Sequence, residues 1–201
     1  MTTFAELETL VVGQTRRPEI PAVTKAAIKS ATLRAHHADF FPRDLNTTLL
    51  TYTPSSTAIL YDFPNIHNTL SRLRSLQFLQ GIDAATSAPV ENLEYRTADD
   101  LFDSDNNRRP HVYTLIGATL RIYPTQATGA TNAIFFQNPD VTEAGYSSWI
   151  ADTYEDELAM WAAAIVFART GFLDMANQYN ENHIKPFKEM LVNSHLLGNV
   201  S

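Results

Sequence analysis

Hydrophobic spacing divides the chain into three stretches. At the amino end Phe4, Leu7, Leu10 and Val11 recur at helical spacing, which predicts a first helix. Thr3 and Glu6 frame its start as a Thr-x-x-Glu capping box, and Gly13 offers the stop. A turn through Arg16, Arg17 and Pro18 leads to a second predicted helix from Pro21, since proline is tolerated in a first turn. Val23, Ala27, Ile28, Ala31 and Ala35 form its inner face, and Lys25, Lys29 and Arg34 its outer one. The helix ends before Phe40, Phe41 and Pro42, and its small alanines predict close approach to another helix.

From Leu45 the period shortens to two. Residues 45–53 and 57–62, separated by Pro54, Ser55 and Ser56, read as a hairpin. Residues 70–82 fit either period and are read as a strand, because Leu76 and Phe78 alternate with Ser75 and Gln77. Further strands are predicted at 111–116, 119–123 and 133–137, with turns at Gly117 and within 124–129. A polar loop, 97–109, projects from this part. Helical periodicity returns at the carboxyl end. Residues 152–157 hold four carboxylates, which suit the positive end of a helix dipole. The apolar run 158–168 follows and reads as a helix buried on nearly all sides, too short for a membrane span of roughly 20 residues. Gly171 breaks it, and a last helix over 174–193 aligns Ala176, Ile184, Phe187 and Leu191, with Pro186 expected to kink or divide it. Residues 194–201 show no periodicity. The expected fold class is therefore α+β: an antiparallel helical bundle made by the amino- and carboxyl-terminal helices, with an inserted antiparallel β unit. Its parts are a helical pair at 1–44, the β insertion at 45–144, a second helical pair at 145–193 and a tail at 194–201.

Composition narrows the function classes. The 201 residues are 44% hydrophobic and 18% charged, which is globular usage. Cysteine is absent, so disulfides, thiolate metal sites and a cysteine nucleophile are excluded. Glu6 and Glu8 without a basic residue do not read as a signal peptide, and a reducing compartment is expected. The formal charge is -7; it is carried by the β part and the last helices, leaving the first two helices near neutral. Tight binding of DNA needs an excess of Lys and Arg and is disfavoured.

No chemical motif stands out. The glycines are scattered, so no phosphate cradle and no Gly-x-Ser-x-Gly elbow exists. His36, His37 and Asp39 suggest a metal, yet adjacent helical positions diverge by about 100°, so the pair reads as surface or interface histidines. Asp103, Asp105 and Asn107 copy the start of a calcium loop, but Arg108 and Thr114 stand where a glycine and a bidentate glutamate are needed. Arg16, Arg17, Lys25, Lys29 and Arg34 form a basic set that Glu19 interrupts, and it reads as a solvated helix face. Trp161 belongs to the core, while Trp149 is a candidate rim contact. No cofactor, no metal and no catalytic group is expected.

The run Thr15-Arg16-Arg17-Pro18-Glu19-Ile20, then Thr24, Ala27, Ile28, Ala31 and His36, ending Asp39-Phe40-Phe41-Pro42-Arg43-Asp44, resembles the opening of head-to-tail adaptor (connector, or head completion) proteins of tailed bacteriophages. Residues 113–117, 120–124 and 133–139 are similar to the hairpin region of adaptors that carry a β insertion, and Ser148-Trp149-Ile150 leads into the alanine-rich helix as it does there. The likeness covers nearly the whole chain through packing and turn patterns. Pro186 and the doublet His36-His37 depart from it. The resemblance implies a non-enzymatic structural virion protein at the head–tail junction, assembled in the host cytoplasm. It would form a homo-oligomeric ring, commonly of about twelve copies, below the portal protein and above tail or nozzle proteins. DNA would pass through without specific binding, and no membrane is involved. Arg17, Pro18, Glu19, Phe40, Phe41, Asp44, Leu196 and Leu197 are the expected portal or neighbour contacts. The alternatives are another phage structural or assembly protein, or a connector with cell-wall glycan hydrolase activity on the acids of 99–105.

Overall fold

The computed structural model describes residues 1–51, 61–83, 86, 88–97, 99–100, 112–123 and 128–198, the side chains of 91, 128–129 and 194–198 excepted. The chain divides into two compact units, one formed by Met1–Asp44 with Asn138–Ser201 and the other by Leu45–Gln137.

The first unit is helical. Helix α1 (Phe4–Thr15) opens on the expected capping box, with Glu6 N–H donating to Thr3 Oγ1 and Thr3 N–H to Glu6 Oε2. It runs through Gly13 and stops at Arg16, which takes the left-handed conformation at φ 54° and donates its N–H to the Val12 carbonyl. Gly13 therefore is not the stop. Helix α2 (Pro21–His36) follows, and a 3-10 turn (Pro42–Asp44) closes the amino-terminal part. After the second unit come α4 (Trp149–Thr153), α5 (Glu155–Arg169), α6 (Leu173–Tyr179) and α7 (Lys185–Gly198). The acidic stretch is thus shared by two helices, and Glu155, Asp156 and Glu157 form the first turn of α5. As its apolar run predicts, α5 is buried from Leu158 to Phe167 apart from the half-buried Met160. It packs Ala162, Ala163 and Val166 into one core with Phe4, Leu7 and Val11 of α1 and Ala27, Ile28 and Ala31 of α2. Burying each large aliphatic side chain here is worth roughly 1.5–3 kcal/mol. Pro186 divides the last helix in a specific way. A π turn (Asn180–Ile184), closed by Lys185 N–H on the Asn180 carbonyl, precedes it. In an unbroken α ladder the proline ring would meet the Asn182 carbonyl four residues back, and the wider turn avoids that clash.

Among the described residues the second unit is a sheet of seven strands in the order β1-β7-β3-β4-β5-β6-β2. Its strands are β1 (Leu45–Thr51), β2 (Tyr61–Phe63), β3 (Leu73–Asp83), β4 (Pro89–Tyr95), β5 (Val112–Ile116), β6 (Thr119–Tyr123) and β7 (Thr128–Gln137), with a short helix α3 (Ile66–Thr69) before β3. Its core joins Leu50, Ile66, Leu70, Leu79, Leu93, Tyr113, Leu120, Ile122 and Phe135.

This sheet overturns the expected architecture, a helical bundle carrying an inserted antiparallel β unit. The sheet is large and mixed, because β4 and β5 pair in parallel through Glu94 with Val112 and Tyr95 with Tyr113. The predicted hairpin of 45–53 with 57–62 is corrected too, as far as its described parts go, since residues 52–60 lie outside the described residues. Strand β1 pairs with β7 and β2 with β6, at opposite edges of the sheet order. Sequence neighbours pair most readily in short hairpins, and these two strands instead satisfy their backbone groups on distant partners. Strand β4, with Pro89, Glu91 and Asn92, lacks the alternation that marks a strand and was not foreseen.

Candidate functional site

The strongest concentration of chemistry-bearing side chains lies in the helical unit and is buried. His36 stands in the last turn of α2, Asp44 ends the 3-10 turn, Ser148 caps α4, and Trp149 begins it. The imidazole Nδ1 lies 2.9 Å and 3.1 Å from the two carboxylate oxygens of Asp44. Its Nε2 lies 2.9 Å from Ser148 Oγ, which also accepts the Ala151 amide as the helix cap. Trp149 Nε1–H donates to Asp44 Oδ1 at 2.8 Å. Around this line of polar atoms the Trp149 ring meets His36 and Phe41 edge-on, and the Arg43 guanidinium sits 5.2 Å from its centre.

Ser148, His36 and Asp44 therefore stand in the order and at the spacing of a nucleophile, a base and an orienting carboxylate. The surroundings do not suit acyl transfer. His36 and Ser148 are each only 3% exposed, and the Ser148 oxygen already accepts the Ala151 amide as a helix cap. Neither of two clefts on this unit opens on the serine: one is lined by Ser30, Leu33, Arg34, His37, Ala38, Trp161, Lys188 and Val192, the other by Met1, Thr2, Glu6, Thr9, Leu10 and Glu155. What the arrangement does is join the end of α2, the turn after it and the start of α4 by polar bonds inside an apolar shell. A second polar link lies beside it. Tyr146 OH meets Thr32 Oγ1 at 2.8 Å, Thr32 donates to the Ile28 carbonyl, and burial pushes the Tyr146 phenol up to about 12.

The expected contact residues separate into three groups. Arg17, Pro18 and Glu19 form a turn at the surface, where Arg17 is half-buried, lies 4.5 Å from the Phe172 ring centre and faces Glu19 at 3.9 Å. Phe40 is 48% exposed. Phe41 and Asp44 are buried and serve the knot around Trp149, so they are internal fittings of this unit. Trp149 is half-buried and spends its indole N–H inward, so it belongs to the same knot. Leu196 and Leu197 fall within α7, and their side chains lie outside those described. His36 and His37 diverge as their helical offset requires, His37 turning to donate to Asn138 Oδ1 at 2.7 Å. Among the described residues no group of three His, Cys, Asp or Glu side chains could hold a metal. The calcium-like residues Asp103, Asp105, Asn107 and Arg108 lie outside the described residues, as do all but Asp99 and Asp100 of the acids proposed for glycan cleavage.

Of the basic set, Lys25 Nζ lies 2.7 Å from Glu143 and Lys29 3.9 Å from it. The hydrogen bond between the first pair raises the Lys25 ammonium above its ordinary value and lowers the Glu143 carboxyl. In the sheet unit Arg121 grips both oxygens of Asp62 at 2.7 and 2.8 Å, which lowers the Asp62 carboxyl and raises the guanidinium. The Ser–His–Asp line was beyond sequence reading, because its members lie 8 and 112 positions from His36 and no local spacing announces them. Among the described residues no helix is long and apolar enough to cross a membrane. No protein-family model matches the chain, and no curated protein matches its sequence significantly.

Proposed function

We propose that this chain is a structural virion protein, a head-to-tail adaptor of a tailed bacteriophage. It sits at the head–tail junction, is assembled in the host cytoplasm, and performs no catalysis. It binds the portal protein on one side and tail or nozzle proteins on the other, and builds a ring with its own copies, about twelve by the resemblance. The observation that carries the reading is a convergence in space. His36, Phe41 and Asp44 carry the likeness at the amino end, Ser148 and Trp149 carry it at the carboxyl end, and they meet in one buried knot although Ser148 lies 112 positions from His36. The net charge of -7 supports the role as well, because a negatively charged protein does not hold phosphates tightly.

Purified protein is expected to co-sediment with portal rings and to add a ring beneath them in electron micrographs. Virions that carry the chain only in the capsid shell or the distal tail would overturn the reading. Because Ser148 is buried and caps α4, a fluorophosphonate probe is expected to leave the protein unlabelled; labelling that vanishes in Ser148→Ala would overturn the non-enzymatic reading.

A further inference from the structure

A cleft of about 600 Å³ opens on the helical unit between the carboxyl half of α2, α5 and α7. Leu33, Ala38, Trp161 and Val192 give it apolar lining, and Arg34, His37 and Lys188 give it positive or ionisable groups. The Lys188 ammonium lies 4.7 Å from the centre of the Trp161 ring, so one cation is held against the apolar wall. Arg34 is exposed, and neither Arg34 nor Lys188 forms an ion pair among the described residues. This is a local reversal on a chain whose formal charge is -7. A site that joins an apolar floor to cations without a carboxylate partner among the described residues selects a segment that joins an apolar anchor to carboxylates. Apolar walls exclude water and strengthen the pairing.

The chain itself contains such a segment. Residues 99–105 read Asp-Asp-Leu-Phe-Asp-Ser-Asp, four carboxylates around the pair Leu101-Phe102. The other acidic run, 152–157, is built into α4 and α5. We infer that the cleft receives residues 99–105 of a second copy of this chain. The contact joins two different surfaces of one protein, so each copy offers a segment to one neighbour and a cleft to the next. That is the heterologous arrangement from which rings close. The inference rests on the ring proposed above and names the surfaces that make it.

The absence of cysteine allows a direct test in the full-length protein. Ser30→Cys marks the cleft and Ser104→Cys marks the segment, each an isosteric change. Under mild oxidation, a mixture of the two single variants is expected to give a disulfide-linked dimer, and the double variant a ladder of oligomers. A double variant that closes its disulfide within one monomer would show the cleft filled by its own chain and overturn the inference. A dimer formed by Ser30→Cys alone would show a symmetric contact and overturn it equally. Rings that form on the portal without any disulfide would overturn it while sparing the adaptor reading. A disulfide ladder from protein that never binds portal would do the reverse. Charge reversal supplies a readout independent of cysteine placement. Arg34→Glu with Lys188→Glu is expected to weaken self-association at least tenfold, and Asp99→Lys with Asp100→Lys and Asp103→Lys to restore it. Failure of that rescue, with both proteins folded by circular dichroism, would overturn the inference.

Discussion

Asp44 shows how much one side chain can hold in this fold. Its carboxylate takes the imidazole Nδ1 of His36 and the indole N–H of Trp149 at once, while its backbone amide closes the 3-10 turn on the Phe41 carbonyl. Loss of a buried hydrogen-bond partner costs about 1–3 kcal/mol, and removing the carboxylate takes one partner from His36 and one from the half-buried Trp149. Asp44→Ala is therefore expected to destabilise the protein by roughly 2–5 kcal/mol, read as a fall in the denaturant midpoint. The comparison is Glu19→Ala, an exposed position whose change should stay within about 0.5 kcal/mol. Equal effects at the two sites would show that the knot around Trp149 does not hold the unit together. Phe40 and Phe41 make the same point about adjacent residues. The pair looks uniform in sequence, yet Phe40 is half-exposed and Phe41 is spent against the Trp149 ring.

At the scale of elements, the β5–β6 hairpin shows which features are local. Gly117 stands at φ 60° in the two-residue connection between Ile116 and Thr119, the first central position of a primed turn that glycine fills without strain. On β5, Thr114 is fully buried and its hydroxyl has no hydrogen-bond partner among the described residues. Thr114→Val keeps the shape and removes the stranded hydroxyl, so it is expected to raise stability by about 1 kcal/mol. A loss of stability in the unfolding curve would mean that the hydroxyl has a partner after all. This hairpin was legible in sequence because strand pattern, turn residue and partner all lie within twelve positions. The capping box at Thr3 and Glu6 and the buried run of α5 were legible for the same reason. Pairings that span the chain were not. Leu45 meets Phe136, and Glu94 meets Val112 in parallel, and nothing near Leu45 or Glu94 encodes those partners. In β1 and β2, as in any strand, alternation specifies a face and leaves the partner open. The knot of His36, Asp44, Ser148 and Trp149 was hidden in the same way. A histidine near a helix end and a serine before a helix are ordinary until the core of α1, α2 and α5 brings them within 2.9 Å.

For the whole molecule, the two units raise the question of how a helical unit is built from chain ends with residues 45–137 between them. The core answers part of it, since Phe4, Leu7 and Val11 from one end and Leu158, Trp161 and Val166 from the other bury one another. The sheet answers the rest. Its first and last strands pair, with Leu45 opposite Phe136, so the chain leaves for the sheet and returns from it at points only about 5 Å apart in Cα position. A short bridge can span that distance. Loop closure depends only weakly on length, each doubling costing roughly 0.6 kcal/mol, so a shorter connection should slightly favour the helical unit. Replacing residues 45–137 by a Gly-Ser linker of about six residues, long enough at roughly 3.3 Å per residue, is expected to leave a helical protein that unfolds cooperatively. Its circular dichroism should show α-helix without a β contribution. Asp44→Ala should destabilise it as it does the full chain, because Asp44, His36, Ser148 and Trp149 all remain. A linker variant that stays unfolded would show that the sheet is required for the helical core to close. Failure of Asp44→Ala to act in a folded linker variant would show that the knot depends on the sheet.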